Sequence, residues 1–209
     1  ISDVEKYFKP LISKFKENGI NKTIFLSVQG VEKSKIIPHN KIERLIKDLE
    51  LEYIFLRPSY FMQNLTTTLL DDIKNHREII LPAGKAKFNW IDISNIAEIA
   101  AKMLIDFDSY KNRAFDITGF ENINFQEATS LINNQIQKTI KYRSVNPLHF
   151  YSLKKKQGMK SGMILVMIML HFLPRFQAEP QISNTYKNLT GKNPTTLDKF
   201  IKRNKHLFD

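Results

Sequence analysis

The chain has 209 residues, no cysteine and a formal net charge of +11, and 42% of its residues are hydrophobic. This hydrophobic content is enough to build a core, so the composition argues against global disorder. The absence of cysteine excludes disulfide bonds, thiolate metal sites and a cysteine nucleophile, and it fits a reducing, cytoplasmic location.

The first 75 residues alternate helices with short hydrophobic strands. Apolar residues that recur every three or four positions predict the helices, and Gly19 and Gly30 mark the ends of two elements. Pro58 ends the second strand, because proline has no N–H group for pairing within a sheet. The predicted elements are a helix that starts at Ser2 or Asp3, a strand at 24–28, a helix at 39–49, a strand at 52–57 and a helix at 61–75.

The rest of the chain continues this alternation and then becomes mainly helical. Asn124-x-x-Glu127 has the spacing of a capping box, and Ser94 is predicted to cap an earlier helix. The predicted elements are extended segments at 78–84 and 87–92, a helix after Ser94, a strand at 113–118, a helix at 124–136, a strand at 139–143 and helices at 147–157, 162–173, 180–189 and 196–206. This order predicts an α/β fold with a mostly parallel sheet and flanking helices.

Polar and aromatic side chains follow the predicted strand at residues 52–57. In an open α/β sheet, ligands bind where the strands end and the helices begin. The side chains expected to face such a ligand crevice are Ser59, Tyr60, Phe61 and Asn64. A packed strand–helix corner that binds no ligand is the alternative interpretation of the same residues.

Other kinds of site find little support in the sequence. The five histidines are scattered without paired-ligand spacing, so we expect no metal site. The longest apolar run, residues 163–173, is too short to span a membrane. Residues 128–209 hold 14 Lys or Arg and 3 Asp or Glu, which accounts for the whole charge excess of +11. This excess predicts a solvated basic face or attraction to anions, but without a helix-turn-helix or stacking signature at 138–160 we expect no nucleic-acid binding.

Several segments, in this order, resemble the NmrA-like family of atypical short-chain dehydrogenase/reductases. The matching segments are Ile24-Phe25-Leu26-Ser27-Val28-Gln29-Gly30, Ile37-Pro38-His39-x-x-x-Glu43, Leu56-Arg57-Pro58-x-x-Phe61-Met62-x-Asn64, Leu81-Pro82-Ala83-Gly84, Trp90-Ile91-Asp92-Ile93, Phe115-Asp116-Ile117-Thr118-Gly119 and Leu189-Thr190-Gly191-x-x-Pro194. The resemblance implies a Rossmann-like fold in which residues 1–125 belong to an NAD(P)-binding domain. Residues 126–209 would then form a small, mainly helical substrate or lid region.

The resemblance also implies a function and its residues. It implies binding of NADP(H) or NAD(H) and reduction of small quinone- or carbonyl-type substrates. The alternative is a dinucleotide sensor that acts through a protein partner without turnover. The implied cofactor-binding residues are Ser27, Val28, Gln29, His39, Pro58, Ser59 and Tyr60. The implied substrate-binding residues are Phe61, Asn64, Phe88 and Trp90, and the implied catalytic residue is His39.

The chain departs from the family pattern in two ways. Family members begin with a strand and a Gly-rich turn that binds the pyrophosphate, and no such turn is present here. We therefore expect that the chain lacks roughly 80 residues, about two strand–helix–strand units, of the family pattern. The superfamily's Tyr-x-x-x-Lys pair corresponds to Lys35 and His39, which favours hydride transfer to a quinone-like acceptor over alcohol chemistry.

Overall fold

The computed structural model describes residues 3–35, 37–137 and 139–209. Its strands are β1 (Lys22–Leu26), β2 (Glu52–Pro58), β3 (Tyr60–Phe61), β4 (Glu78–Leu81), β5 (Lys87–Ile91), β6 (Arg113–Ile117), β7 (Asn122–Asn124) and β8 (Lys141–Ser144). Its α-helices are α1 (Lys9–Glu17), α2 (Pro38–Asp48), α3 (Ile93–Ile105), α4 (Phe107–Tyr110), α5 (Phe125–Asn133), α6 (Pro147–Lys156), α7 (Ser161–Phe172), α8 (Thr185–Thr190), α9 (Leu197–Arg203) and α10 (Lys205–Phe208). Short 3₁₀ or π segments lie at Val4–Phe8, Val31–Lys33, Met62–Leu65, Asp72–His76 and Leu173–Phe176.

Contacts within the chain define two compact units, and unit 1 comprises residues 1–59, 93–118 and 183–194. Its sheet has the strand order β1-β2-β6, and both pairs of strands are parallel. Helices α1 and α2 cover one part of this sheet through buried Ile12, Ile42 and Ile46, which pack with Phe55 of β2. Burying such side chains stabilises the unit by roughly 1.5–3 kcal/mol each. The parallel strands and covering helices confirm the predicted Rossmann-like α/β class.

Unit 2 comprises residues 60–92, 119–182 and 195–209. Strand β5 pairs in parallel with β3 and antiparallel with β7, and β4 pairs in parallel with β8. The core of this unit contains fully buried aromatic side chains, including Trp90, Phe125, Phe150 and Phe200. The predicted division of the chain into residues 1–125 and 126–209 is a division by function, and it stays a prediction.

The predicted helix over residues 61–75 is wrong. Residues 60–61 form β3, a 3₁₀ turn follows at Met62–Leu65, and a π turn lies at Asp72–His76. The hydroxyl groups of Thr66 and Thr67 donate to the carbonyl oxygen of Gln63 at 3.1 and 2.8 Å. Threonine hydroxyls compete in this way with helix formation, so the four-residue apolar spacing reflects successive turns that face one core.

The predicted helix starts have mixed outcomes. Asn124 and Glu127 form a complete capping box at α5, as predicted. Asp3 caps the first helical segment by accepting a hydrogen bond from the N–H of Lys6, whereas Ser2 lies outside the described residues. The predicted cap at Ser94 is wrong, because α3 already begins at Ile93. In the described part of the chain, no helix is both long and apolar enough to cross a membrane.

Gly119 lies where the chain passes very close to β5. Its N–H donates to Asn89 Oδ1 at 2.7 Å, and its carbonyl oxygen accepts from Asn89 Nδ2 at 3.1 Å. A Cβ atom at this position would lie 1.9 Å from the carbonyl oxygen of Trp90. Only glycine fits here, because the obstructing atom belongs to the backbone of a buried strand.

We predict that Gly119→Ala lowers the free energy of unfolding by about 3 kcal/mol or more, because the new methyl group forces β5 and Gly119 apart. Gly162→Ala is the matched control. Among the described residues, no atom outside its own helix backbone and chain neighbours lies within 4 Å of a Cβ built on Gly162, which is part of α7. Because alanine favours helices, the control is expected to raise stability by up to about 1 kcal/mol. Urea unfolding of both variants measures this, and equal effects would contradict the packing argument.

Candidate functional site

The carboxyl ends of β1 and β2 bring together most residues predicted to contact a cofactor. Ser27, Val28 and Gln29 follow β1, and the N–H of Gln29 donates to the carbonyl oxygen of Pro58 at 2.9 Å. Ser59 follows β2, and its N–H donates to the carbonyl oxygen of Ile117 at 3.1 Å. These residues therefore lie along one edge of the parallel sheet of unit 1, which is where α/β proteins bind ligands.

Behind this edge lies a buried ionic cluster that ties α2 to the strands. Arg57 donates to both carboxylate oxygens of Glu43, from Nε at 3.0 Å and from Nη2 at 2.7 Å. The Ser27 hydroxyl donates to Glu43 Oε1 at 2.6 Å. Hydrogen bonding to Glu43 raises the pKa of Arg57, so the guanidinium stays charged. Ser27 is itself buried, and its hydroxyl proton is used in the hydrogen bond to Glu43. A ligand could therefore only donate a hydrogen bond to the Ser27 oxygen.

The first turn of α2 carries two polar groups. His39 is half-buried, with its ring centroid 6.0 Å from that of Phe25. Burial lowers the pKa of His39, and the charge of Glu43 opposes this effect, so the imidazole is neutral at pH 7. Asn40 donates from Nδ2 to the carbonyl oxygen of Val31 at 3.0 Å. Its Oδ1 is buried and has no hydrogen-bond partner among the described residues.

Asp116 is a residue of this edge that the site prediction missed. It lies on β6 beside Arg57 in the strand register, and Gln29 Nε2 donates to its Oδ2 at 3.4 Å. Burial raises the pKa of Asp116 above its ordinary value. A signal was present in the sequence, because Asp116 belongs to the strand-end segment Phe115–Gly119 that carries the family resemblance.

The predicted substrate-side residues lie in unit 2, together with Tyr60. The Tyr60 ring lies 5.3 Å from that of Phe88 and 4.8 Å from that of Trp90, measured between centroids. Phe88 and Trp90 are only 5% and 1% exposed, so they contribute chiefly to the core. Phe61 and Asn64 are half-buried. The aromatic cluster therefore keeps Tyr60 in a fixed position and leaves the neighbouring Phe61 and Asn64 partly accessible.

His171 completes this cluster, and sequence reasoning missed it. Its Nδ1 lies 2.7 Å from the carbonyl oxygen of Met167, and its Nε2 lies 3.0 Å from the Tyr60 hydroxyl. Since a carbonyl only accepts, Nδ1 carries the proton and Nε2 accepts from Tyr60. Asn64 is a second hydrogen-bond partner of Tyr60. The sequence did contain a hint of this role, because His171 is the one polar residue in the otherwise apolar predicted helix 162–173.

Burial shifts both members of this pair toward their neutral forms. It lowers the pKa of His171 to about 4. It also raises the pKa of Tyr60, and the hydrogen bond with Asn64 only partly opposes that shift. Near pH 7 the pair is therefore an uncharged phenol that donates to an uncharged imidazole.

The parallel sheet and its covering helices define a Rossmann-like α/β class of protein. The chain belongs to the NmrA-like family, whose sequence model matches residues 3–201. Prestalk A differentiation protein A of Dictyostelium discoideum is 26% identical to it over 95% of this chain and 64% of that protein. The uncharacterized oxidoreductase YesF of Bacillus subtilis is 25% identical over 96% of this chain and 69% of that protein. The chain thus spans about two thirds of the length of these relatives.

Among solved structures, the chain is similar to the NADPH-dependent quinone oxidoreductase QOR2 of Escherichia coli in complex with NADPH. The TM-score is 0.82 at 19% sequence identity, and the match covers all of this chain and 75% of that one. At this level of identity the likeness shows a common fold. The match to the family model confirms the prediction of an NmrA-like protein, and the roles of individual site residues stay predictions.

We predict that His171→Gln weakens the loss of stability in acid. The unfolded chain binds a proton at this histidine near pH 6.5, whereas the folded chain binds it only near pH 4. Stability is therefore lost as the pH falls from about 6.5 to 4, by about 2 kcal/mol between pH 7 and pH 5. Glutamine keeps a neutral hydrogen-bonding group but does not titrate. Unfolding at both pH values, with the exposed His149→Gln as control, measures the difference, and parallel profiles for all three proteins would contradict it.

Proposed function

We propose that the chain binds NADP(H) or NAD(H) and reduces small quinone- or carbonyl-type substrates. The observation that carries this proposal is the carboxyl edge of the unit 1 sheet, where Gln29 and Ser59 follow β1 and β2 and helix α2 brings the neutral, half-buried His39 near β1. Membership of the NmrA-like family and the likeness in fold to a quinone oxidoreductase both support it. The proposal concerns the whole protein's activity, because the chain spans 64% of the Dictyostelium relative.

The chemistry of these groups fits a nicotinamide ribose. Ribose hydroxyls donate and accept hydrogen bonds, and the half-buried His39 and the polar side chain of Gln29 lie near this edge. The neutral imidazole of His39 can accept from one hydroxyl or donate to another. The bound cofactor supplies the hydride. In this proposal Val28, Gln29, Pro58 and Ser59 line the same edge, and unit 1 orients the cofactor by hydrogen bonds.

The substrate would meet residues of unit 2. Tyr60, Phe61 and Asn64 are the proposed contacts, and Phe88 and Trp90 support them from the core. The Tyr60 hydroxyl donates to His171, so in this proposal Tyr60 meets the substrate through its ring, and its raised pKa keeps it uncharged. Quinone-like acceptors suit such a site, because they accept a hydride without a strong protein acid. Residues 126–209 would complete the substrate region.

Calorimetric titration of the folded 209-residue chain with NADPH tests the proposal, followed by NADPH oxidation at 340 nm with menadione as the acceptor. Micromolar binding with turnover supports the reductase. Binding without turnover of menadione or other carbonyl acceptors favours a dinucleotide sensor that acts through a protein partner. Absence of both NADPH and NADH binding by the folded chain would contradict the proposal.

We predict that His39→Ala weakens NADPH binding about tenfold, which corresponds to the loss of one hydrogen bond in a partly buried site. His39→Asn keeps a neutral polar side chain and is expected to recover part of the affinity. His206→Ala removes an exposed histidine of unit 2 and is the control. Calorimetry on the three variants gives the affinities, and an effect of His39→Ala no larger than that of the control would rule out this contact.

A further inference from the structure

We propose that an open cavity beside Gly84 is an anion-binding site that receives the acidic group of a small aromatic substrate. The substrate assignment rests on the proposed reductase function, whereas the binding of an anion does not. The cavity lies within unit 2 and has a volume of about 570 Å³. Its lining comes from two segments of the chain, residues 84–87 and residues 174–179.

The charges around the cavity leave a positive surplus. Lys85, Lys87 and Arg175 are its cationic side chains, and Glu179 is the acidic one. Glu179 is already paired, since Lys87 Nζ lies 3.1 Å from its Oε1 and Asn122 Nδ2 donates to its Oε2 at 3.3 Å. Neither Lys85 nor Arg175 forms an ion pair with any residue that the structure describes. The cavity thus offers two positive charges that are free to meet an anion.

Arg175 is exposed and packs against two neighbours. A Cβ atom on Gly84 would lie 2.8 Å from Arg175 Nε, so the guanidinium lies directly against the glycine backbone. On another side, the guanidinium carbon lies 5.2 Å from the ring centroid of Phe172. This cation–π contact and the close approach to Gly84 restrict the side chain while its N–H groups remain available. A pre-oriented guanidinium matches the two oxygens of a carboxylate, sulfonate or phosphate.

The wall beneath Arg175 is also fixed by hydrogen bonds. Gly84 has a positive φ of 58°, a conformation that suits glycine. Its N–H donates to Ser144 Oγ at 2.9 Å, and its carbonyl oxygen accepts from the Tyr142 hydroxyl at 2.9 Å. The backbone of Gly84 is therefore occupied, and recognition of an anion falls to the side chains of Arg175 and Lys85.

The aromatic part of the proposed ligand follows from the neighbours of the cavity. Tyr142 stacks on Phe125, with 5.9 Å between ring centroids, and Phe125 lies 6.0 Å from the Tyr60 ring. The Gly84 wall of the cavity is therefore backed, through Tyr142, by the buried aromatic cluster that contains the proposed substrate contact Tyr60. Ala86, Pro174 and Ala178 add apolar lining. A planar ring with one acidic substituent combines apolar contact with charge recognition.

A 2′-phosphate of NADP(H) has the same chemistry as an acidic substrate group, so the test separates the two sources. Binding of 2-naphthoate is compared with that of its neutral analogue 2-naphthamide, by calorimetry and without cofactor. Adenosine 2′,5′-bisphosphate is titrated in parallel against AMP. We expect 2-naphthoate to bind about tenfold more tightly than the amide, and we expect 0.5 M salt to reduce this preference.

Substitutions then assign the preference to this cavity. Arg175→Gln is expected to remove most of the tenfold preference for 2-naphthoate. Lys85→Gln is expected to reduce that preference to about threefold. Arg175→Lys is expected to retain only part of the preference, because lysine keeps the charge but not the planar guanidinium. Lys202→Gln, which removes an exposed lysine of α9 outside the cavity, is expected to have no effect. Circular dichroism confirms that the variants are folded.

Three results would overturn the inference. The first is equal affinity for 2-naphthoate and 2-naphthamide. The second is that Arg175→Gln and Lys202→Gln change the affinity for 2-naphthoate by the same amount. The third is that Arg175→Gln weakens the binding of adenosine 2′,5′-bisphosphate but not that of 2-naphthoate. If the preference persists in a chain that binds no NADPH, the anion site stands and the reductase proposal fails. If NADPH-dependent reduction of menadione occurs without the preference, the anion site fails alone.

Discussion

The buried ion pair between Glu43 and Arg57 is the interaction on which the candidate cofactor edge depends. The Glu43 side chain is 6% exposed, and a carboxylate so far from water needs a fixed partner. The two-point contact with Arg57 supplies that partner from β2, and the Ser27 hydroxyl adds a contact from the end of β1. Helix α2 is thereby attached to both strands, and its first residues, including His39, are carried to a defined position.

Unit 2 buries both charged and uncharged polar groups. Asp72 pairs with Lys154, and Asp92 pairs with Arg203 at 2.8 Å, so charge pairing fixes part of this unit as well. Other buried groups have uncharged partners, as Asn89 binds the backbone of Gly119 and His171 binds the carbonyl oxygen of Met167. Such contacts satisfy buried polar groups without the cost of burying a charge. The pair of Tyr60 and His171 is closely packed, because aromatic rings enclose it.

The sequence predicted those features that local chemistry decides. Strand β2 ends at Pro58 because proline cannot continue the ladder, and Asn124 and Glu127 form their capping box because both partners lie within one turn. Features that depend on distant residues were missed. Strand β7 is only three residues long and exists through its pairing with β5, and the role of His171 depends on Tyr60, 111 residues away in the chain. The residues of β7 do not identify β5 as its pairing strand, and the residues around His171 do not identify Tyr60 as its hydrogen-bond partner.

The protonation states explain why the candidate site suits one kind of chemistry. Burial lowers the pKa of His39 and His171 and raises that of Tyr60, so each of these groups is neutral near pH 7. In these neutral forms the two imidazoles carry no proton that a strong acid would give, and the phenol is a weaker acid than usual, while all three can still form hydrogen bonds. Reactions that require a strong protein acid are therefore disfavoured at these residues. Hydride transfer to an acceptor whose reduced form gains its protons from water makes no such demand, and charge recognition can then be left to side chains such as Arg175.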